Sequence, residues 1–512
     1  MATVSSQAAR APLILVLDIG TTWIRAGIRD GRARAVRDWD VRIASPTVLS
    51  DDGGVEKDPH QTISLVSSAI DQLLALIGEE SRRIEAVGIA TLASSLLGVD
   101  GASEPTTPIY LYADARPALQ ARALREELDE AAVHVRTGCR IHSSYHPARL
   151  RWLAAEHPVP FRRTRRWVSL PEFVQAALHG ASPVSPSTAS WSGLLNRASG
   201  DWDEEMLRAL ELARSALNPI GEEPLVGLKR AYAERWPSLA AVPWFPAWAD
   251  GAASNVGAGC QSPGCTALSL GTSGALRVTT TFDTPQLPLG LWAYRVDSQR
   301  FLVGGAVNEG GVVIDWARRV LRLPASPFPA DLEPPADTGP TVLPFFAGER
   351  SPGWHDGVRA VIAGLDLHSG PREILTSLMH SVALRFAEIE EDLEEAGLAS
   401  GPIIANGGAT RTPGWLQMMA DALGRQVIRS GEVEATSRGI AVLVLEALGR
   451  GSEVPAAKLG SAYEPTPGRL DSYRSALARQ RDLYSAIVGY VDRGAASQKA
   501  PGSGVVREAR PE

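Results

Sequence analysis

The sequence predicts an α/β protein of two domains that share one strand pattern. Residues 13–17 are continuously apolar, residues 18–22 form a polar turn that contains glycine, and residues 23–28 alternate, which together indicate a β-hairpin. The pattern recurs at residues 266–279, around a turn of Ser-Leu-Gly-Thr-Ser-Gly. Helical stretches and short strands alternate between the two copies, which is typical of α/β domains. We therefore expect an ancient duplication.

The length of the chain also favours two domains. It has 512 residues, of which 44% are hydrophobic, and this exceeds the size at which a single core stops growing. We predict domains at residues 13–252 and 253–450, and we place their border within 250–259, where irregular chain leads into a Gly/Ala-rich stretch. A helical extension is expected at 451–493. Residues 494–512 lack a repeated apolar face, and we expect them to be disordered.

Local patterns predict the elements between and after the hairpins. Apolar residues at helical spacing indicate helices at 62–77 and 118–130, and a short apolar run indicates a strand at 86–90. A long helix is expected at 373–396, since Gly397 provides a C-terminal stop.

A strand, a glycine turn and a helix start fall together near residue 410. Residues 403–405 are a short apolar strand and residues 406–408 (Asn-Gly-Gly) a turn. Thr412 and Pro413 are expected as the N-cap and the first residue of a helix that Gly424 ends.

Charge and cysteine content narrow the class of function. The net charge of -7 argues against general affinity for nucleic acid or anionic membranes, which both require a basic surface, and favours a small-molecule substrate. The apolar run 12–17 is too short for a signal peptide or a membrane helix. Cys139, Cys260 and Cys265 are too few and too poorly spaced for a disulfide framework or a zinc site, and their odd number suits a reducing compartment. We expect a cytoplasmic protein without membrane association.

The first turn carries groups that can hold a phosphate and its metal. Asp18 ends an apolar strand, and its carboxylate can bind magnesium directly or through water. Gly20, Thr21 and Thr22 offer backbone N–H groups and hydroxyls to a terminal phosphate, and glycine permits a close approach. The alternative is an ordinary hairpin turn in which Asp18 satisfies backbone donors.

The second turn offers similar chemistry without the acid. Gly271, Thr272, Ser273 and Gly274 supply the amides and hydroxyls. Alone, such a string is more often only a turn. Two such turns in similar strand contexts would supply two phosphate clamps if they faced one cleft.

A further carboxylate, Asp250, stands where a helix of small residues is expected to start. It can be an N-cap, which is a frequent use of aspartate. It can also be a general base that accepts the proton of an attacking hydroxyl, since a helix N-terminus keeps a carboxylate ionised.

Taken together, these segments resemble the FGGY family of carbohydrate kinases, which belongs to the superfamily of actin, hexokinase and Hsp70. The resemblance covers roughly residues 13–450. Six motifs occur in family order, at residues 18–22, 112–116, 249–253, 270–274, 406–409 with 415–417, and 434–439. It implies two actin-like (ribonuclease H-like) domains with a nucleotide cleft between them, and ATP and Mg²⁺ as the phosphoryl donor and its metal.

The resemblance also implies roles for single residues. Asp250 becomes the catalytic base and Asp18 the acid linked to the metal. The expected contacts with the nucleotide are Gly20, Thr21, Thr22, Gly271, Thr272, Ser273, Gly407, Gly408 and Ala409. Asp114, Tyr112, Ser94 and Asp250 are the expected substrate contacts, although Asp114 has the alternative of a surface acid paired with Arg116.

Within the family, residues 304–311 with Trp316 and residues 343–352 with Trp354 look most like gluconate kinases. The implied reaction is the phosphorylation of D-gluconate to 6-phosphogluconate. A kinase of the same family for xylulose, ribulose, another ketose or a polyol is the alternative, followed by a catalytically silent sugar- or nucleotide-binding protein. Family members are often dimers, so a homodimer is the assembly that the resemblance suggests.

Departures from the family pattern concentrate in the sugar-binding half. Ser94 falls where a Met-His pair is common, Tyr112 replaces a Trp, Ser185 an Asp, and Glu309 an Asn. Such changes can alter specificity strongly, because a buried unpaired polar group penalises the wrong ligand. Glu309 would be an unusual neighbour for the carboxylate of gluconate. Arg140 and Arg149 could compensate for it, but we expect both to be solvated or paired elsewhere.

Overall fold

A computed structural model describes residues 3–281, 286–323, 332–412 and 414–499. Two twisted sheets form its centre, each with helices packed against it, and the two α/β halves enclose a cleft. The fold class predicted from the sequence is confirmed.

Six of the described strands form the first sheet. In spatial order they are Thr3–Val4, Ala35–Ala44, Trp23–Arg29, Leu13–Ile19, Ile84–Thr91 and Trp248–Ala249. The predicted hairpin is present, since Leu13–Ile19 pairs antiparallel with Trp23–Arg29. Its other neighbour, Ile84–Thr91, runs parallel to it.

The second sheet repeats this arrangement with seven of the described strands. Their order is Trp292–Arg295, Phe301–Val307, Gly274–Thr280, Thr266–Leu270, Ile403–Asn406, Val427–Ser430 and Leu459–Tyr463. Thr266–Leu270 pairs antiparallel with Gly274–Thr280 and parallel with Ile403–Asn406. Both sheets therefore share a hairpin beside a parallel strand, as the repeated sequence pattern predicts.

Helices cover the sheets and build the cleft. The α-helices are Pro59–Ile77, Ala118–Glu127, Glu130–Thr137, His146–Glu156, Pro158–Arg163, Leu170–His179, Pro186–Ser190, Glu204–Ala209, Arg230–Arg235, Asp250–Gly257, Val312–Val320, Pro371–Glu395, Trp415–Leu423, Ala435–Ala447 and Arg469–Lys499. Short 3-10 helices occupy Ser6–Ala8, Gly78–Arg83, Arg214–Ala216, Pro237–Leu239, Gly408–Arg411 and Gly451–Glu453. Two-stranded sheets pair Leu97–Val99 with Arg166–Val168, Leu195–Asn196 with Asp201–Trp202, and Thr341–Leu343 with Val361–Ala363. In a three-stranded sheet, Val55–Lys57 lies between Val48–Leu49 and Ile109–Tyr110.

The two halves meet where the helices Asp250–Gly257 and Ala435–Ala447 cross. A Cβ added to Gly257 would lie 1.7 Å from the carbonyl oxygen of Ala435, and one added to Gly439 would lie 1.8 Å from that of Ala253. The backbones thus touch directly, which only glycine permits. This crossing fixes the helix that begins with Asp250.

Several predicted boundaries differ from those in the structure. The helix expected at 118–130 is two helices, because Asp129 caps a new one through its side chain. The helix Asp250–Gly257 runs through the predicted domain border at 252/253. The extension 451–493 contributes a strand to the second sheet before its helix, and that helix continues to Lys499, into the expected disordered tail. The rest of that tail, 500–512, lies outside the described residues.

The helix near residue 415 also starts later than predicted. It spans Trp415–Leu423 and follows Gly414, so Thr412 is not its N-cap. Thr412 instead ends a short turn in which its N–H donates to Ala409 O. Pro413 lies outside the described residues. Gly424 ends the helix in the left-handed conformation, as predicted.

One helical segment in the described ranges, Pro59–Arg83, is long and apolar enough to cross a membrane by length and composition alone. In this fold Val66, Ile70 and Leu73 of that segment are buried in the core of the first half. Asp58 caps it, because its side chain accepts a hydrogen bond from Gln61 N. The segment is therefore explained as a core helix.

The cysteines also differ from the expectation. Cys260 and Cys265 form a disulfide, with their Cα atoms 5.1 Å apart. The short link between them turns back at Gly264, where φ is 89°, and so brings together two residues that the sequence leaves as isolated thiols. Cys139 is free and buried.

Candidate active site

Two carboxylates stand at one edge of the first sheet. Asp18 lies near the end of the strand Leu13–Ile19, which is parallel to Ile84–Thr91. The strand Trp248–Ala249 pairs with the other side of Ile84–Thr91, and Asp250 follows it directly. Since one strand separates them, the two backbones are about 10 Å apart. Parallel pairing thus brings together two residues that are distant along the chain.

Asp18 has an elevated proton affinity. Burial, followed by the negative charge of Asp250, raises the pKa of Asp18 to about 7, and the charge of Arg25 opposes this. Arg25 Nη1 lies 3.7 Å from Asp18 Oδ2. A cation beside Asp18 would stabilise its ionised form, which is the form that binds a metal.

The turn that follows Asp18 is held from behind by a buried lysine. Lys57 is 2% exposed, and its Nζ donates to Thr21 O (2.7 Å), Ser45 O (3.0 Å) and Pro46 O (3.1 Å). Gly20 N–H donates to Trp23 O and closes the hairpin. With its carbonyl side fixed, the turn can present the exposed Thr22 towards a ligand.

Asp250 is the first residue of the helix Asp250–Gly257, so it is not the N-cap. Its Oδ1 accepts a hydrogen bond from Gly251 N at 2.7 Å. Burial raises the pKa of Asp250, whereas the charges of Arg277 and Arg350 lower it. A carboxylate whose pKa is raised while nearby cations keep its ionised form accessible is suited to accept a proton.

The second turn is built from glycines that interlock. Gly271 N–H donates to Ser273 O at 2.9 Å, Gly311 N–H to Gly271 O at 2.6 Å, and Gly310 N–H to Thr272 O at 2.9 Å. A Cβ on Gly310 would lie 2.5 Å from Ser273 O. The two chain segments therefore form one rigid backbone surface, with Thr272 exposed.

The predicted nucleotide loop lies against this second turn. Gly407 follows the strand Ile403–Asn406, has φ of 101°, and would place a Cβ 2.3 Å from Leu270 O. Gly408 is exposed and has no atom within 4 Å of an added Cβ. A Cβ on Gly311 would lie 3.6 Å from Ala409 Cβ. Adjacent parallel strands thus bring these two predicted groups of nucleotide contacts together.

Two of the predicted substrate contacts lie in the surroundings of Asp250. The guanidinium carbon of Arg350 is 5.7 Å from the ring centroid of Tyr112. Ser94 is buried, and its Oγ donates to Trp191 O at 2.5 Å. The ring of Trp191 in turn lies 3.0 Å from the position of a Cβ on Gly251. Ser94 therefore supports a wall of the site, and Tyr112 is linked to it through Arg350.

Asp114 is fully buried, at 0% exposure. Arg116 donates to Asp114 Oδ1 from its backbone N (3.1 Å) and Nε (3.0 Å), and Arg116 Nη2 also binds Glu56 at 2.6 Å. The alternative pairing with Arg116 is confirmed, although Asp114 is not a surface acid. Contact between Asp114 and a substrate stays a prediction.

The two arginines considered as cations that could compensate Glu309 both bind other groups of the chain. Arg140 Nη2 donates to Glu130 Oε2 at 2.8 Å. Arg149 is 0% exposed and donates to the carbonyl oxygens of Ser143 and Ser144. Both arginines are thus paired within the chain, and Arg149 also donates to Ser94 O.

Two departures from the family pattern have local explanations. Ser185 caps the helix Pro186–Ser190, because its Oγ accepts a hydrogen bond from Thr188 N at 3.1 Å. Burial raises the pKa of Glu309 to about 8, and Glu309 Oε1 accepts a hydrogen bond from Ala347 N at 3.0 Å. Each replacement thus has a structural role in the chain itself.

The donor groups at Asp18 fit magnesium that arrives with a nucleotide. In the part of the chain that the structure describes, no group of three or more His, Cys, Asp or Glu side chains could hold a metal ion. Mg²⁺ usually retains several waters and is bound by one or two carboxylates together with substrate phosphates. A single acid, Asp18, beside a turn with free hydroxyls meets that requirement.

We expect Asp18→Asn to stabilise the protein without nucleotide more at pH 8 than at pH 5. The fold raises the pKa of Asp18 from its ordinary value of 3.8 to about 7, so the folded state binds the proton more tightly than the unfolded state does. Stability conferred by this group is therefore lost as pH rises from 4 to 7 and stays lost above 7. The gain at pH 8 relative to pH 5 should be on the order of 2 kcal/mol, measured by denaturant unfolding.

The matched control is Asp471→Asn, because the Asp471 side chain is 87% exposed. It should change stability equally little at both pH values. An equal effect of Asp18→Asn at the two pH values would contradict the elevated pKa.

Sequence reasoning missed four charged residues of the site, which are Arg25, Lys57, Arg277 and Arg350. Arg277 had a visible signal, since it is a lone charge between Leu276 and Val278 in an otherwise uncharged strand. Arg350 lies in a motif that was recognised without a role for it. Lys57 and Arg25 gave no signal, because only the fold brings them to the turn and to Asp18.

Comparison with known proteins agrees with this geometry. Residues 13–257 match the N-terminal domain of the FGGY family of carbohydrate kinases, and residues 266–448 match its C-terminal domain. The gluconokinase of Bacillus subtilis (strain 168) is 27% identical over 482 residues, which cover 89% of this chain and 91% of that protein.

Solved structures share the two-domain, actin-like fold. A gluconate kinase from Lactobacillus acidophilus has a TM-score of 0.85 at 22% identity, covering 94% of this chain and 99% of that one. A ligand-bound xylulose kinase from the same organism has a TM-score of 0.84 at 21% identity, with the same coverage. The two family domains span the cleft and both glycine turns, and on that evidence the chain belongs to the FGGY family of carbohydrate kinases.

Proposed function

We propose that this kinase transfers the γ-phosphoryl group of ATP to a hydroxyl of a sugar acid, with D-gluconate to 6-phosphogluconate as the leading assignment. The observation that carries the proposal is the position of Asp250, at the sheet edge beside Asp18 and facing arginines of the second half. The relative from Bacillus subtilis, a gluconokinase, supports the choice of acceptor.

In the proposed reaction Asp250 accepts the proton of the acceptor hydroxyl. The hydroxyl oxygen bonds to the γ-phosphorus while the bond to the β-phosphate oxygen breaks, so ADP leaves and a phosphate ester forms. The amides and hydroxyls of the two turns hold the phosphates. Bound Mg²⁺ would neutralise phosphate charge, with Asp18 as its protein partner.

The reaction is accelerated mainly by positioning and by charge neutralisation in a cleft that excludes water. The cleft floor is suited to this, because Trp191 stacks on Tyr294 with ring centroids 3.9 Å apart. Trp191 belongs to the first half and Tyr294 to the second, so this stack already joins the two halves next to Gly251 and keeps water from that side of the site. We propose the cytoplasm, where ATP is supplied, as the place of the reaction.

A kinase for xylulose, another ketose or a polyol is the second candidate. It is favoured by the xylulose kinase structure, which resembles this chain as closely as the gluconate kinase does, and by the altered residues Ser94 and Tyr112. A catalytically silent binding protein is disfavoured, since Asp18, Asp250 and both turns are retained.

The test is a coupled assay of ADP release with ATP and Mg²⁺ against a panel of sugar acids, ketoses and polyols. We expect the highest kcat/KM on D-gluconate. Higher kcat/KM on a ketose or polyol would replace the substrate and keep the reaction. ADP release that no acceptor raises above the background would contradict the kinase assignment for this chain.

A further inference from the structure

Two arginines of the second half, Arg277 and Arg350, lie near Asp250. Within the residues that the structure describes, neither forms an ion pair with a carboxylate of its own. Arg277 and Arg350 both act electrostatically on Asp250, and each also acts on the same tyrosine, Tyr294. The buried Nε atom of each has no hydrogen-bond partner in the described ranges. A guanidinium has five N–H donors, so both retain capacity for an anion.

Arg277 reaches across the cleft from the strand Gly274–Thr280. Its guanidinium carbon is 3.4 Å from the position of a Cβ on Gly251, the neighbour of Asp250. Its Nη1 donates to Ser269 Oγ at 3.1 Å, which fixes the side chain. Burial lowers the pKa of Arg277 to about 10, and the charge of Asp250 opposes this. Arg277 is therefore a cation held in place beside the candidate base.

Arg350 approaches from another segment, the loop that contains residues 343–352. Its guanidinium lies over the ring of Tyr112, with 5.7 Å between the guanidinium carbon and the ring centroid. Its charge lowers the pKa of Arg277, which means that the two cations lie close enough to repel each other. Two mutually repelling cations beside one carboxylate leave a net positive charge.

The residues around the two arginines make their uncompensated positive charge unfavourable in the absence of a ligand. Tyr145 and Tyr294 hydrogen-bond through their hydroxyls at 2.5 Å, and Trp292 stacks on Tyr294 with centroids 4.2 Å apart. The pKa of Tyr145 is raised well above its ordinary value, chiefly by burial. In such an apolar setting an unpaired cation is costly, and a ligand anion would compensate it.

We infer that Arg277 and Arg350 form a carboxylate-binding subsite that selects sugar acids over neutral sugars and polyols. The inference rests on the proposed function, because it assumes that the acceptor binds beside Asp250. Since the nucleotide phosphates are assigned to the two turns, the capacity of these arginines to bind an anion is assigned to the acceptor. Arginine binds carboxylates well, since its planar fork can donate two parallel hydrogen bonds.

The test compares D-gluconate with D-glucitol, which has a CH₂OH group in place of the carboxylate. In the variants Arg277→Gln and Arg350→Gln, the ratio of kcat/KM for gluconate to kcat/KM for glucitol or another neutral acceptor should fall by roughly 10- to 100-fold, chiefly through the KM for gluconate. The ratio is the readout, because a changed pKa of Asp250 affects all acceptors alike. Arg235→Gln, at a side chain 46% exposed and paired with Asp71, is the matched control.

Equal losses with gluconate and the neutral acceptors would overturn the inference, because the arginines would then serve Asp250 or the transferred phosphoryl group. Since Arg277 is half-buried, Arg277→Lys provides a second variant that keeps the charge but loses the planar fork of N–H donors. Arg277→Lys should weaken the binding of gluconate and not that of the neutral acceptors. The loss should be smaller than in Arg277→Gln. An unchanged preference for gluconate in Arg350→Gln would also overturn the inference.

Binding measured by calorimetry separates this inference from the proposed function. If the wild type transfers phosphate to no acceptor, the proposed function fails, yet gluconate binding that both glutamine variants weaken at least 10-fold would support the subsite. Gluconate binding that neither variant alters, or gluconate that does not bind the wild type at millimolar concentration, would overturn the subsite even where another acceptor is phosphorylated.

Discussion

Replacing Asp250 by Asn should lower kcat by roughly 100- to 10,000-fold and leave the affinity for the nucleotide nearly unchanged. The amide has the shape of the carboxylate but cannot accept the proton of the attacking hydroxyl. The predicted nucleotide contacts of the second turn and of the loop at Gly407 should stay intact, because they belong to the other sheet. The measurement is ADP release with saturating acceptor, together with nucleotide binding by calorimetry.

The exposed replacement Asp471→Asn is the matched control and should keep wild-type turnover. Turnover retained by Asp250→Asn would exclude Asp250 as the base. Loss of nucleotide binding together with turnover would point to a structural defect instead of a lost base. The wild type should also lose activity as pH falls through the raised pKa of Asp250, because only the ionised carboxylate accepts a proton.

A second large effect is expected from Gly439→Ala, which adds one methyl group at the crossing of the two interdomain helices. The new Cβ would lie 1.8 Å from Ala253 O, so the helices must separate. Backbone cannot give way as a flexible side chain does, and we expect a loss of about 3 kcal/mol or more in the free energy of unfolding. Denaturant unfolding measures it, and soluble yield on expression gives a second measure.

The control for this substitution is Gly101→Ala, since no atom lies within 4 Å of a Cβ at Gly101. It should change stability by no more than about 0.5 kcal/mol. Equal stability of the Gly439 and Gly101 variants would show that the helices do not cross as described. Any Gly439→Ala protein that folds should have reduced turnover, because the helix against which Gly439 packs begins with Asp250.

The sequence predicted the architecture of the site well where the signal is local. A hairpin with a glycine turn is encoded in a few consecutive residues, and its repetition at residues 266–279 predicted the second sheet. The resemblance to the family then assigned candidate roles to Asp18, Asp250 and the predicted nucleotide loop. The boundaries of the elements were predicted less well, as at the start of the helix Trp415–Leu423. Capping depends on the backbone geometry, and the residue types favour a cap without fixing its position.

By itself, then, the sequence determined the fold class and the family and predicted the residues that contact the phosphates, since these depend on short runs of neighbouring residues. The tertiary structure alone decided that the charges of Arg277 and Arg350 act on Asp250, and that Asp114 is buried where it pairs with Arg116. The physical reason is that burial and Coulomb interactions depend on distance in space, and the partners of Asp250 are supplied by a different sheet and a distant loop.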